Sequence, residues 1–289
     1  SSLGENHSYA IIKLLSLDNL KNIENYFKIN RFPKSVSKLF RYKYGDVLII
    51  SGEEISQLDD KQLFFLKKLV YKFIQPKKIK IVCYMRYPLS FMISALQEMI
   101  KSGQINLYKD SFLNDLKSQL SASNYQKIYE RIVNIFGEDY IEIRSFEKAI
   151  KHKFGIVGDF LHILGVNNKA LSEITVAHLN SGLSNLGLRL FCFINRNSLL
   201  IKKITKCDEG IKIIAKIPGD GLILPEHIIN YLIQNTERDV NWLYSKHDID
   251  YRDLDPGAYI SKHGMDVSLE QVDYIIQNDD VVIVDEFTG

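Results

Sequence analysis

Cysteine is scarce in this chain of 289 residues. The three present, Cys83, Cys192 and Cys207, stand far apart and are odd in number. They make neither a disulfide framework nor a metal-ligand spacing, which argues against a stapled secreted scaffold or a zinc module and favours a reducing, cytoplasmic setting. Their apolar neighbours suit them to small core positions. Long hydrophobic runs are missing too: no stretch reaches the roughly 18–20 residues that a bilayer crossing needs. None of the opening residues reads as a secretory leader. Charge of one sign is not in excess, with 37 Lys and Arg against 35 Asp and Glu, a net of +2. No global polyanion-binding surface is implied, so no nucleic-acid partner is expected. Internal repeats and low-complexity segments are absent as well.

What is present is ordinary globular material, 46% hydrophobic and 25% charged, ample for a sizeable core. Residues 46–51 form a short β-branched apolar run, the pattern of a strand buried on both faces. Helical spacing follows over 56–73, a second strand over 79–85, and a helix over 88–101 with Pro88 at a favoured first-turn position. Another helix is expected over 125–136, stopped by Gly137, then a strand over 140–144 and a short helix over 158–164 ended by Gly165. This alternation predicts an α/β fold with a parallel sheet flanked by helices. From about Ala170 the pattern changes to helices over 178–195 and 225–244, with a last strand over 280–285. The expected organisation is an α/β core over 1–170 and a mainly helical cap over 171–289.

The chemistry concentrates where the strand 79–85 hands over to the helix 88–101. Arg86 ends the strand, Pro88 opens the helix, and Ser94 lies two turns inside it. In open parallel sheets, ligands bind at this kind of edge. A guanidinium, a hydroxyl and the free N–H groups of a helix start together suit a phosphate. Ser90, Ser94, Gln97 and Lys101 fall on one polar stripe, with Phe91, Met92, Ala95, Leu96 and Met99 assigned to the core side. The plainer reading is a solvated strand-end charge beside surface serines.

Arg86, Pro88 and Ser94 after an apolar strand resemble the 3′-phosphate-binding segment of sulfotransferases that use 3′-phosphoadenosine 5′-phosphosulfate. The stretch 136–147, ending in Ser145-Phe146-Glu147, resembles that family's next strand and the aromatic-Glu turn after it. Asp159-Phe160-Leu161 with Leu164-Gly165-Val166 resembles the following helix, and Asn180-Ser181-Gly182-Leu183-Ser184 a later Asn-x-Ser segment. Ser51-Gly52-Glu53 resembles the Ser-Ser-Glu segment of bacterial carbohydrate-type members. The resemblance spans roughly 1–245, and it rests on the order and spacing of its motifs together. It implies a P-loop-like parallel sheet and transfer of a sulfuryl group to a hydroxyl of a carbohydrate, surface glycan or other acceptor. The product would be 3′,5′-adenosine bisphosphate, and no metal is needed. It further implies that Arg86 and Ser94 hold the 3′-phosphate and that Phe146 lies near the adenine. Glu53 or His7 would take the acceptor's proton.

The sequence departs from the family at one place. A Gly-x-x-Lys-Thr/Ser-Gly-like loop, whose backbone N–H groups would hold the 5′-phosphosulfate, is not found. Two expectations stand: a missing N-terminal segment, or a sulfotransferase-like relic with half its nucleotide site. On either, the chain beginning at Ser1 should bind the nucleotide poorly. Two rival functions also remain open. One is an interaction protein on the same fold. The other is a metal-dependent glycosyltransferase using Asp248 and Asp250, whose plainer reading is an acidic turn before Pro256-Gly257.

Overall fold

The computed structural model describes residues 7–40, 48–107, 109, 111–119, 123–167, 183–196, 213–214, 217–219, 222, 224–254, 256–259, 273–277 and 280–284. Its contacts group the chain into two compact units that interleave in sequence. One comprises Ser1–Met85 with Asn124–Arg144, the other Arg86–Ser123 with Ser145–Gly289. The break expected at 170–171 lies outside the described residues.

In the first unit, helices α1 (His7–Leu14), α2 (Leu17–Lys28), α3 (Lys34–Leu39), α4 (Asp60–Phe73) and α7 (Tyr125–Phe136) accompany strands β1 (Ile81–Met85) and β2 (Ile141–Ser145). Its core gathers Ile11, Leu15, Ile23, Phe40, Leu69 and Ile132. The helix expected from residue 56 starts at Asp60, because Asp59 builds a cap. The Asp59 side chain accepts the Gln62 N–H at 2.8 Å, and the Gln62 side chain accepts the Asp59 N–H at 2.8 Å. Gln62 Nε2 also donates to the Leu15 carbonyl at 2.8 Å, which ties the cap to the end of α1. Residues Glu53–Gln57 form a separate 3-10 turn. α4 and α7 pack together, joined by Lys67 Nζ donating to the Ile135 carbonyl at 2.7 Å.

The strand expected over 46–51 does not form where the chain is described. Residues 46 and 47 lie outside the described residues, and 48–51 carry no strand pairing. Ile50 packs on the core while Ile49 is exposed. A β-branched run reports burial, but a strand also needs a ladder partner. The molecule is mixed α/β, as expected, with a smaller parallel sheet: among the described residues it consists of β1 and β2. Lys80 and Arg144 both reach Glu142, at 2.5 and 2.7 Å, and those contacts hold its carboxyl below the usual carboxylate range. Both strands are half-buried rather than sealed on both faces.

In the second unit, α5 (Pro88–Lys101) is the central helix. Its start is set by proline, and its end by Gly103, whose positive φ of 75° follows the last turn. It packs against α10 (Asn185–Arg196) and α11 (Glu226–His247). Leu89, Met92, Leu96 and Ile100 of α5 meet Phe191 of α10 and Leu232 of α11 in one fully buried cluster. Polar groups lock the same contacts. Asn195 Nδ2 donates to the Ile100 carbonyl at 2.6 Å, and Asn106 Nδ2 to the Cys192 carbonyl at 2.8 Å. Ser123 donates to the buried carboxylate of Asp239. Helices α6 (Phe112–Gln119), α8 (Phe146–Ala149) and α9 (Gly155–Ile163) belong here as well. Strands β3 (Asp273–Gln277) and β4 (Asp280–Val284) pair antiparallel, so the expected last strand belongs to a two-stranded sheet of its own. Among the described residues, no helix is long and apolar enough to cross a membrane.

Candidate phosphate-binding site

Because β1 and β2 run parallel, their C-terminal ends lie at one sheet edge. β1 continues into Arg86 and Tyr87, and β2 leads through Ser145 into Phe146 and Glu147. The Ser94 side chain emerges about two turns into α5, and helical side chains lean toward the helix N-terminus. The hydroxyl therefore points back to the helix start. Arg86 Nη1 donates to Ser94 Oγ at 2.8 Å. The guanidinium carbon stands 5.6 Å from the centre of the Phe146 ring. Three residues separated by up to 60 positions thus meet at one point of the second unit.

The pairing leaves capacity for a ligand. A guanidinium has five N–H donors, and Ser94 uses one. Among the described residues, no carboxylate forms an ion pair with Arg86. Ser94 accepts from Arg86 and so keeps its own O–H to donate. A cation and a hydroxyl converging in a half-buried position fit an anion with several acceptor oxygens.

A carboxylate organises the surroundings without facing Arg86. Glu147 Oε1 accepts the Tyr87 N–H at 2.8 Å, and its Oε2 accepts the Tyr251 hydroxyl. Tyr251 Oη is also 2.9 Å from Ser145 Oγ. Burial, then the neighbouring Glu147 carboxylate, raises the Tyr251 phenol above its ordinary value, so it stays protonated and donating. This chain of bonds fixes the segments after both strands to one another. Nothing in the sequence marked Tyr251, 104 positions from Glu147; the aromatic-Glu pair Phe146-Glu147 was the only visible signal.

The structure corrects several expectations. The Tyr87 N–H, at the helix start, is taken by the Glu147 carboxylate and so is not open to a phosphate. Of the polar stripe, only Ser94 reaches Arg86. Ser90 is buried and donates to the Tyr87 carbonyl at 3.0 Å, Gln97 Oε1 accepts the Leu183 N–H at 3.0 Å, and Lys101 pairs with Glu98 at 2.6 Å. Phe91, assigned to the core side, is 38% exposed, because the buried seam follows Leu89, Met92, Ile93, Leu96 and Ile100 instead.

Glu53 opens the 3-10 turn of the first unit and His7 opens α1. Their side chains lie outside the described residues. Residues 180–182 of the Asn-x-Ser segment, and Cys207, lie outside them too. Burial pushes the Cys83 thiol up to about 11, which leaves it protonated and a poor nucleophile. Cys192 is buried in the second unit's core. Of the Asp248/Asp250 pair, Asp250 is engaged locally. Asp248 ends α11 in a left-handed conformation, and both carboxylate oxygens of Asp250 are held by Arg252, at 2.9 and 2.6 Å. Those contacts draw the Asp250 carboxyl down to about 2. Among the described residues, no group of three His, Cys, Asp or Glu could hold a metal ion.

No protein-family model, curated protein or solved structure matches this chain.

Proposed function

We propose that this protein is a sulfotransferase-like enzyme that moves a sulfuryl group from 3′-phosphoadenosine 5′-phosphosulfate to a hydroxyl, on a carbohydrate or surface glycan. The observation that carries the reading is the 2.8 Å contact of Arg86 with Ser94 at the ends of a parallel strand pair. In this reading the sheet is P-loop-like, and the Arg86 fork and the Ser94 hydroxyl hold the nucleotide's 3′-phosphate. Phe146, already against the Arg86 guanidinium, lines the adenine side. Glu147 and Tyr251 hold the two segments in place. The nucleotide supplies the activated sulfuryl group. Glu53 or His7 takes the proton from the acceptor hydroxyl.

Two experiments test the reading. In calorimetric titration of the full-length protein, adenosine 3′,5′-bisphosphate should bind at least about tenfold more tightly than adenosine 5′-monophosphate, the gain of one charge-assisted contact. Equal affinities remove the 3′-phosphate assignment. For the base, Glu53→Gln should lower turnover about a hundredfold while nucleotide affinity stays within a factor of two. If turnover is unchanged, Glu53 has no part in the proton transfer and His7 takes its place in the reading.

A further inference from the structure

The first unit carries a concave surface of its own, lined by residues that take no part in the chemistry above. A cavity of about 550 Å³ opens over one face of α4. Phe27 of α2 and Ile135 of α7 help to line it. The α4 face supplies Phe64 and Tyr71, which are 46% and 43% exposed, together with Lys67, Lys68 and Lys72. Positions 64, 68, 71 and 72 recur at helical spacing, so aromatic rings and ammonium groups share a single stripe.

None of these three lysines meets a carboxylate among the described residues. Lys67 Nζ donates to the Ile135 carbonyl at 2.7 Å, and Lys72 Nζ to Asn30 Oδ1 at 2.7 Å. Lys68 Nζ sits 4.6 Å from the centre of the Phe27 ring and 5.2 Å from that of Phe64. Neutral partners orient the three ammonium groups without cancelling their charge. The surplus extends to the whole unit. Residues 1–85 and 124–144 hold 18 Lys and Arg against 12 Asp and Glu, while the other unit holds 19 against 23. The near-zero net charge of the chain hides this asymmetry.

We infer that the α4 groove is a docking site for an acidic polypeptide segment that places an aromatic or branched apolar side chain between carboxylates. The apolar anchor fills the space between Tyr71, Phe64 and Ile135, and the carboxylates meet Lys68 and Lys72 at its edge. From Phe64 to Lys72 the helix rises roughly 12 Å, room for about two helical turns of a partner. A single-stranded nucleic acid is the weaker fit: bases stack on open ring faces, and Lys68 already covers Phe27 and Phe64. An anionic bilayer fits less well again, since membrane-surface helices present a protruding apolar face and this site is concave.

The test is fluorescence anisotropy with a labelled octapeptide, Asp-Glu-Phe-Glu-Asp-Leu-Glu-Ser, on the intact chain. The same peptide with lysine at every acidic position is the control, and twelve-residue oligothymidylate and phosphatidylglycerol-containing vesicles are competitors. The acidic peptide should bind saturably, and Lys72→Glu should weaken it by about tenfold, since reversal replaces attraction with repulsion. Lys72 is exposed, so this variant keeps the fold, which circular dichroism verifies. Tyr71→Ser, also at an exposed position, should weaken binding by about threefold through the lost apolar anchor. The inference is overturned if the acidic peptide binds no better than its lysine control, if Lys72→Glu leaves its affinity unchanged, or if oligothymidylate or vesicles displace it more effectively than unlabelled peptide.

Discussion

Arg86→Ala should weaken binding of adenosine 3′,5′-bisphosphate by roughly 30- to 100-fold, about 2–3 kcal/mol, the scale for truncating one partner of a desolvated charge pair. The side chain is half-buried, so solvent screening keeps the expectation at the lower end of that scale. Arg86→Lys separates charge from shape. A lysine keeps the cation but loses the planar fork and its bond to Ser94 Oγ, so it should recover only part of the affinity. Adenosine 5′-monophosphate provides the internal control: both variants should bind it as the parent does. Calorimetry reads all six affinities. A parent-like affinity of Arg86→Ala for the bisphosphate would place the 3′-phosphate elsewhere. An equal loss for both nucleotides would mean the arginine supports the fold rather than the phosphate.

The largest stability effect is expected in the helix that carries Ser94. Leu96 is fully buried at the centre of the second unit's cluster, and Leu96→Ala should cost about 3–4 kcal/mol, combining lost burial with a residual cavity. Against a total stability of about 5–15 kcal/mol for a domain, that is a large fraction. Phe91→Ala, on the same helix but 38% exposed, should cost less than about 1 kcal/mol, close to an ordinary surface change. The comparison matters because sequence periodicity assigned both residues to the core side. Urea denaturation midpoints of the two variants decide it. Comparable losses would mean that α5 is rotated from the orientation that buries Leu96 and exposes Phe91.

The fates of these two residues show how far local patterning reaches. α5 begins and ends where the sequence placed it, because Pro88 and Gly103 act through backbone geometry within a few residues. The same holds for α7, which Gly137 stops. The start of α4 was missed by four residues, although its capping box is also local, since Asp59 and Gln62 lay inside a helical pattern taken as continuous. The Arg86–Ser94 contact was readable because a helix brings positions eight apart into line with its own start. Over 46–51 the apolar run suggested a strand, but periodicity cannot supply a neighbouring strand to pair with.

By itself, then, the sequence determined the limits of α5 and α7, the strand ends that carry Arg86 and Phe146, and the pairing of Arg86 with Ser94. Each depends on backbone and side-chain chemistry within a few turns. The tertiary structure alone decided which apolar faces meet and which polar groups are spent. Glu147 is held by Tyr251, Asn106 by the Cys192 carbonyl, and Asp250 by Arg252. It also sorted the charges, placing a basic surplus in one unit of a chain that is nearly neutral overall. Most of those pairings span about 90 to 100 positions, and only Asp250–Arg252 is local. An amphipathic pattern shows that a face will be covered, but the partner that covers it is selected by packing across the whole chain.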